Sequence, residues 1–98
     1  SKVIEIFEMA ISKNVRPNNY IFSVLLHCLA QKGEFDKSKY YFDLMYKFKL
    51  TPDIIHYNNM LECISQNADV DNIDIWYEKK RVSTILLCSK IHSLSFSQ

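Results

Sequence analysis

The chain repeats itself at an offset of 35 residues, and this narrows its possible folds more than any other feature. At that offset Pro17 falls on Pro52, Asn18 on Asp53, Phe22 on Tyr57, Leu25 on Met60, Leu26 on Leu61, Cys28 on Cys63 and Leu29 on Ile64. Gln31 meets Gln66, Gly33 meets Ala68, Phe35 meets Val70 and Asp36 meets Asp71. A third copy enters at the start of the chain. Ile6, Tyr41 and Trp76 align, as do Phe7, Phe42 and Tyr77, and the acids Glu8, Asp43 and Glu78. Two unrelated amphipathic helices could share an apolar pattern by chance. They would not also bring both prolines and the small residue between helices into register. No single unit of this size can bury its apolar face alone, so such units stack into a superhelix.

Within each copy the spacing is helical. Phe22, Leu25, Leu26 and Leu29 form a stripe at i, i+3, i+4 and i+7, which Tyr57, Met60, Leu61 and Ile64 repeat. A second stripe runs Ser38, Tyr41, Phe42, Met45, and its copy runs Ile73, Trp76, Tyr77. Gly33 lies between the two stripes, where a left-handed residue would end the first helix. Pro17 and Pro52 are expected to end the second helices, and Asn18 and Asp53 to open the next ones. The pattern predicts an all-α fold of antiparallel helix pairs, with helices over about residues 2–14, 19–32, 36–48, 54–66 and 71–81. Phe22, Leu26, Leu29, Phe42 and Met45 form the expected core, and Tyr40, Tyr41, Phe42 and Trp76 read as packing aromatics at core spacing. Residues 1–18 are then the second half of a unit, 19–53 a complete unit, 54–81 a partial one and 82–98 a degenerate tail. Ile85, Leu86, Leu87 and Ile91 could supply a further helix in that tail. The chain lacks an initiator Met and opens inside an apolar pattern, so the natural N-terminus, with any targeting segment, is expected to lie upstream.

Composition limits the chemistry. A single Gly and two Pro leave few sites for hairpin turns, which favours helices joined by short loops. A net charge of +1 gives no separate support for binding through phosphates. Cys28, Cys63 and Cys88 show no Cys-x-x-Cys spacing, and His27, His56 and His92 show no metal-ligand spacing. The cysteines read as small packing residues and the histidines as surface or locally satisfied ones, with no metal, cofactor or disulfide expected. No phosphate loop, deaminase motif or nuclease carboxylate cluster is present, so no catalytic residue is assigned. The charge-free stretch from Val82 to Ser89 is too short to cross a bilayer, and no membrane partner is expected.

The segments Asn19-Tyr-Ile-Phe-Ser-Val-Leu-Leu, Gly33-Glu-Phe-Asp, Tyr41-Phe-Asp-Leu-Met45 and Leu50-Thr-Pro-Asp53, with the second copy starting Ile54-Ile-His-Tyr-Asn-Asn-Met-Leu61, carry a resemblance to the pentatricopeptide repeat family. It covers about residues 1–80, and the Trp, Gly and Tyr pattern of the 34-residue tetratricopeptide repeat is absent. The resemblance implies a right-handed solenoid, a location in the mitochondrion or another organelle such as the chloroplast, and recognition of single-stranded RNA at about one base per repeat. It also implies roles for particular residues. Ser23 and Asn58, early in the first helices, would read bases together with the repeat-final Asn18 and Asp53. Tyr20 and Ile55 would pack on a base from either side. The resemblance further implies guanine for the pair Ser23 and Asp53, and a pyrimidine opposite Asn58. Where family members often carry a basic residue late in the first helix, this chain has Gln31 and Gln66, with His27 and Glu62 facing a similar way. Ser23, Asn58 and Asp53 equally suit the plainer task of satisfying backbone donors at a helix start. Two functions follow: an RNA-binding module in organellar RNA processing, stability or translation, or a protein-interaction scaffold, such as a ribonucleoprotein subunit, that reads no bases.

Overall fold

The computed structural model describes the backbone of residues 2–96 and the side chains of residues 2–86. It contains α1 (Lys2–Ser12), α2 (Asn19–Gln31), α3 (Phe35–Lys47), α4 (Ile54–Gln66) and α5 (Val70–Phe96), and no strand occurs among the described residues. The chain is all-α, as its periodicity requires.

The helices end by one device used repeatedly. Asn14, Gly33, Lys49 and Ala68 all have positive φ, at 61°, 66°, 59° and 52°. At each of these positions the next residue's N–H reaches back to a carbonyl five residues earlier: Val15 to Ala10 at 2.9 Å, Glu34 to Leu29 at 3.2 Å, Leu50 to Met45 at 2.9 Å and Asp69 to Ile64 at 3.4 Å. This is the Schellman arrangement, which satisfies carbonyls left over at a helix end. Asn14 and Lys49 stand one repeat apart, as do Gly33 and Ala68. The second helices therefore stop at Ser12 and Lys47, before the prolines that were expected to end them. Pro17 and Pro52 are instead buried in the approach to the following helix.

Three of these left-handed positions carry a side chain, which costs about 1–2 kcal/mol relative to the right-handed conformation. Lys49→Gly and Ala68→Gly are each expected to raise stability by about 0.5–1 kcal/mol, the relief of strain exceeding the extra freedom of glycine in the unfolded chain. Urea denaturation should show a higher midpoint for each at an unchanged slope, and an equal or lower midpoint would refute the assignment of strain.

The packing has two layers. α2 and α4 lie side by side, and each second helix packs on its neighbouring first helices. The inner pair runs parallel, since His56, Asn59 and Asn67 of the later unit reach Asn19, Ser23 and Gly33 of the earlier one in the same order. In the outer layer, successive helices meet through aromatic side chains. Phe7 of α1 sits edge-on to Tyr41 of α3 at 5.5 Å, and one repeat later Phe42 of α3 sits edge-on to Trp76 of α5 at 4.8 Å. The cross-layer pairs match more closely: Phe7 with Phe22 and Phe42 with Tyr57 both have centroids 5.2 Å apart and ring planes at 63°. The inner backbones approach closely, whereas the outer helices meet through these large rings.

Phe22, Leu26, Leu29, Phe42 and Met45 are all buried, as the stripes predict. Tyr41 is buried as well and donates to Glu8 Oε1 at 2.8 Å; burial and this carboxylate push its pKa up to about 12. Two aromatic readings and one aliphatic one need correction. Tyr40 is 59% exposed rather than part of the core, and Tyr77 and Ile6 lie outside the core although their register partners Phe42 and Tyr41 lie within it. α5 also departs from expectation, because it runs on to Phe96 instead of ending near residue 81. Residues 71–96 contain neither Gly nor Pro, so nothing there terminates a helix, and Thr84 Oγ1 bonds back to the Lys80 carbonyl within it. Ile85 and Leu86 are exposed; Leu87 and Ile91 lie outside the described side chains.

Candidate nucleic-acid interface

The first turns of α2 and α4 bring the candidate residues together at one end of the inner layer. Tyr20 and Ile55, each the second residue of its helix, are 71% and 54% exposed. Neither belongs to the hydrophobic core cluster. Below them, Ser23 is half-buried and Asn58 exposed. The stripe continues as His27 and Gln31 on α2 and Glu62 and Gln66 on α4, all exposed. His27 Nε2 lies 3.2 Å from Gln31 Nε2, which places the amide as donor to an unprotonated ring nitrogen.

Asn18 and Asp53 occupy the N-cap positions, exposed and in extended conformation. Asn18 Oδ1 accepts the Ile21 N–H at 2.9 Å. Asp53 Oδ1 accepts from Ile55 N at 2.9 Å and from His56 N at 3.4 Å. These bonds fulfil the helix-opening role read from the sequence. In Asp53 they occupy Oδ1 and leave Oδ2 without a protein partner among the described residues. Ser23 Oγ donates to the Tyr20 carbonyl at 2.7 Å, so its lone pairs face outward while its proton is held locally. The caps and the candidate readers are thus the same side chains, each with part of its hydrogen-bonding capacity committed to the backbone.

Two residues of this region escaped the sequence reading. His56 is 1% exposed, and its ring bridges two backbones: Nδ1 accepts the Asp53 N–H at 3.0 Å, completing a capping box, and Nε2 donates to the Asn19 carbonyl at 2.9 Å. Asn59, 7% exposed, donates through Nδ2 to the Ser23 carbonyl at 3.1 Å. The signal was available in the register, because these polar residues align with the apolar Ile21 and Val24 of the preceding unit.

No group of three or more His, Cys, Asp or Glu side chains among the described residues could hold a metal ion. Cys63 is fully buried, with burial pushing its thiol pKa up, and Ser38 Oγ lies 3.6 Å from its sulfur. It packs between α3 and α4. Cys28 is half-buried. No helix among the described residues is long and apolar enough to cross a membrane.

Comparison with known proteins agrees with this architecture. A family model described as the pentatricopeptide repeat domain matches residues 5–67. A mitochondrial pentatricopeptide repeat-containing protein of Arabidopsis thaliana is 33% identical over 70 residues, covering 70% of this chain and 8% of its own length. A chloroplastic one from the same plant is 34% identical over 61 residues, covering 62% of this chain and 9% of its own. A second mitochondrial one is 27% identical over 86 residues, covering 87% and 12%. The chain thus spans about a tenth of the length of these curated relatives. With the repeated aromatic contacts, the matched helix ends and the family model over residues 5–67 in agreement, the chain belongs to the pentatricopeptide repeat family.

Proposed function

We propose that this chain is an RNA-binding module that receives single-stranded RNA at about one base per repeat, acting in an organelle on RNA processing, stability or translation. The observation that carries this reading is the exposed pair Tyr20 and Ile55, held at matching positions on adjacent parallel helices, with Ser23 one turn along α2 and Asp53 capping α4. Family membership supports it, as do the mitochondrial and chloroplastic names of the relatives. A base entering between Tyr20 and Ile55 stacks on a ring on one side and an aliphatic chain on the other. Guanine presents N1–H and N2–H donors on its pairing edge. Asp53 Oδ2 and the Ser23 lone pairs can accept them without disturbing either backbone bond. Asn58, able both to donate and to accept, is the reader for the following base, a pyrimidine, and Asn18 ends the preceding repeat. The inner face lacks a Lys or Arg in the stripe from Tyr20 to Gln31 and from Ile55 to Gln66, so affinity rests more on stacking and edge recognition than on phosphate contact.

The test is an NMR titration of the chain with short single-stranded oligoribonucleotides that differ at one base. Ser23→Asn is expected to move preference at that base from guanine toward uracil. Tyr20→Ala is expected to weaken binding to any base by about 1–3 kcal/mol through loss of the stacking ring. If both variants fold and neither changes affinity or preference, this face does not read RNA. The same repeat stack then serves as a protein-binding scaffold.

A further inference from the structure

Two hydrogen bonds lie directly beneath the slot flanked by Tyr20 and Ile55. His56, next in sequence to Ile55, donates to the carbonyl of Asn19, next to Tyr20, at 2.9 Å. One helical turn deeper, Asn59, next to Asn58, donates to the carbonyl of Ser23 at 3.1 Å. The first rung therefore joins the neighbours of Ile55 and Tyr20, and the second joins the neighbour of Asn58 to the backbone of Ser23 itself. Both acceptors are main-chain oxygens inside α2, fixed by the helix itself, and both donors are buried on α4. His56 does more than span the gap. Its Nδ1 also accepts the Asp53 N–H at 3.0 Å, so one ring joins the backbone of Asp53 to that of Asn19. The Asp53 carboxylate lies beside the same nitrogen, with Oδ1 2.9 Å away.

Simple interface packing does not call for this chemistry. At the register-equivalent positions of α2 the chain carries Ile21 and Val24, which have no donor to give. Apolar contact is non-directional and tolerates sliding, whereas a hydrogen bond weakens steeply with misalignment. The two rungs therefore set both the separation of α2 from α4 and their relative height.

We propose that His56 and Asn59 are positioning residues that fix the width and register of the base slot between Tyr20 and Ile55, and thereby its selectivity. This inference rests on the RNA-reading function above. Neither residue touches the base. They act by holding Asp53 and Ser23 at a fixed offset, so that a base stacked in the slot presents its edge to both at once. Discrimination between bases depends on that alignment more than gross affinity does, because stacking survives a small shift that edge hydrogen bonds do not.

The chain itself supplies the substitutions. His56→Ile and Asn59→Val install the side chains found one repeat earlier, and His56→Gln keeps an amide N–H that can reach the Asn19 carbonyl. The probes are two single-stranded hexaribonucleotides, adenine throughout except for guanine or uracil at one position, titrated against each protein by NMR. The wild type should prefer the guanine probe. In Asn59→Val and His56→Ile that preference should fall by about fivefold or more while helicity is unchanged, and His56→Gln should recover most of it. Should His56→Ile fail to fold, Asn59→Val and His56→Gln still decide the matter. A wild type with no preference defeats the base-reading function, and this inference with it. A wild type that discriminates, alongside folded Asn59→Val or His56→Ile that discriminate equally well, overturns the positioning role alone. A separate check needs no RNA: the His56 Nε2–H should give a slowly exchanging imidazole proton signal in the free chain. A fast-exchanging ring proton would also overturn the proposal.

Discussion

Phe42→Ala is expected to destabilise the protein by about 3–5 kcal/mol, the range for deleting a large buried aromatic side chain. The ring is 2% exposed and meets Tyr57 at 5.2 Å, Trp76 at 4.8 Å and Tyr46 at 6.2 Å. It therefore belongs to two joints, the cross-layer contact with α4 and the outer contact with α5. In a stack stabilised by neighbour interfaces, removing a residue shared by two joints weakens both. A chain of this length has total stability of only about 5–15 kcal/mol, so the loss consumes a large fraction of it. Tyr40→Ala is the control, since a ring of similar size that is 59% exposed should matter by no more than about 0.5 kcal/mol. Urea denaturation followed by circular dichroism separates the two. Similar losses for both, or a loss under about 1 kcal/mol for Phe42→Ala, would contradict the packing described.

Gly33→Val should rank next, at about 3 kcal/mol. The residue has φ of 66° at the end of α2, a region that a β-branched side chain scarcely enters. Space is the second penalty, because a Cβ at Gly33 would lie 3.3 Å from Gln66 Cβ on the neighbouring unit. The carbonyl of Gly33 also accepts the Asn67 side-chain N–H at 2.7 Å, so a shift made to relieve the clash loosens a link between units. Gly33→Ala avoids the branch but not the Cβ, and should fall between wild type and Gly33→Val. Thermal unfolding should place the three in that order. Val and Ala variants as stable as the wild type would mean that the α2–α3 corner is not held in its left-handed form.

The positions of these two residues show what a sequence of this kind reveals. The core was legible because a buried stripe on a helix must recur at a fixed spacing, and Phe22, Leu26, Leu29, Phe42 and Met45 obey it. Gly33 was legible because only one residue type enters the left-handed region without strain. The other three left-handed ends were not legible: Lys49 and Ala68 adopt that conformation against their own preference, and Asn14 tolerates it but is one of many Asn residues in the chain. Tyr40 was misread because adjacent aromatics look alike in a stripe, although the helix turns one of them outward by 100°. Tyr77 fails for a related reason. It aligns with Phe42, but burial depends on what lies opposite, and Phe42 is covered from both sides by Tyr57 and Trp76. The extension of α5 was missed because a broken repeat pattern was taken for a broken helix, whereas backbone hydrogen bonding needs no apolar stripe to continue.

At the candidate interface, the residues implied by the family resemblance lie at or next to the first turns of α2 and α4, and all but the half-buried Ser23 are exposed there. The resemblance could not give the load each already bears. Asn18 and Asp53 cap helices, and Ser23 is bonded to the Tyr20 carbonyl. His56 was passed over because an isolated histidine has no ligand spacing. Its partner is the Asn19 backbone, and the mark it leaves in the sequence is a polar residue where the register puts Ile21.

That last point bears on how such chains can be rearranged. The hydrogen bonds between the inner faces of the two units are written on one side only. The later unit supplies the donors, from His56, Asn59 and Asn67, and the earlier unit answers with peptide oxygens at Asn19, Ser23 and Gly33. Every unit of this shape offers peptide oxygens in the same places, whatever its sequence. In its inner-helix hydrogen bonds, a unit carrying these donors can thus follow any predecessor of the same backbone, and only the aromatic contacts, such as Phe42 with Tyr57 and Trp76, require a matched neighbour when a unit is transposed.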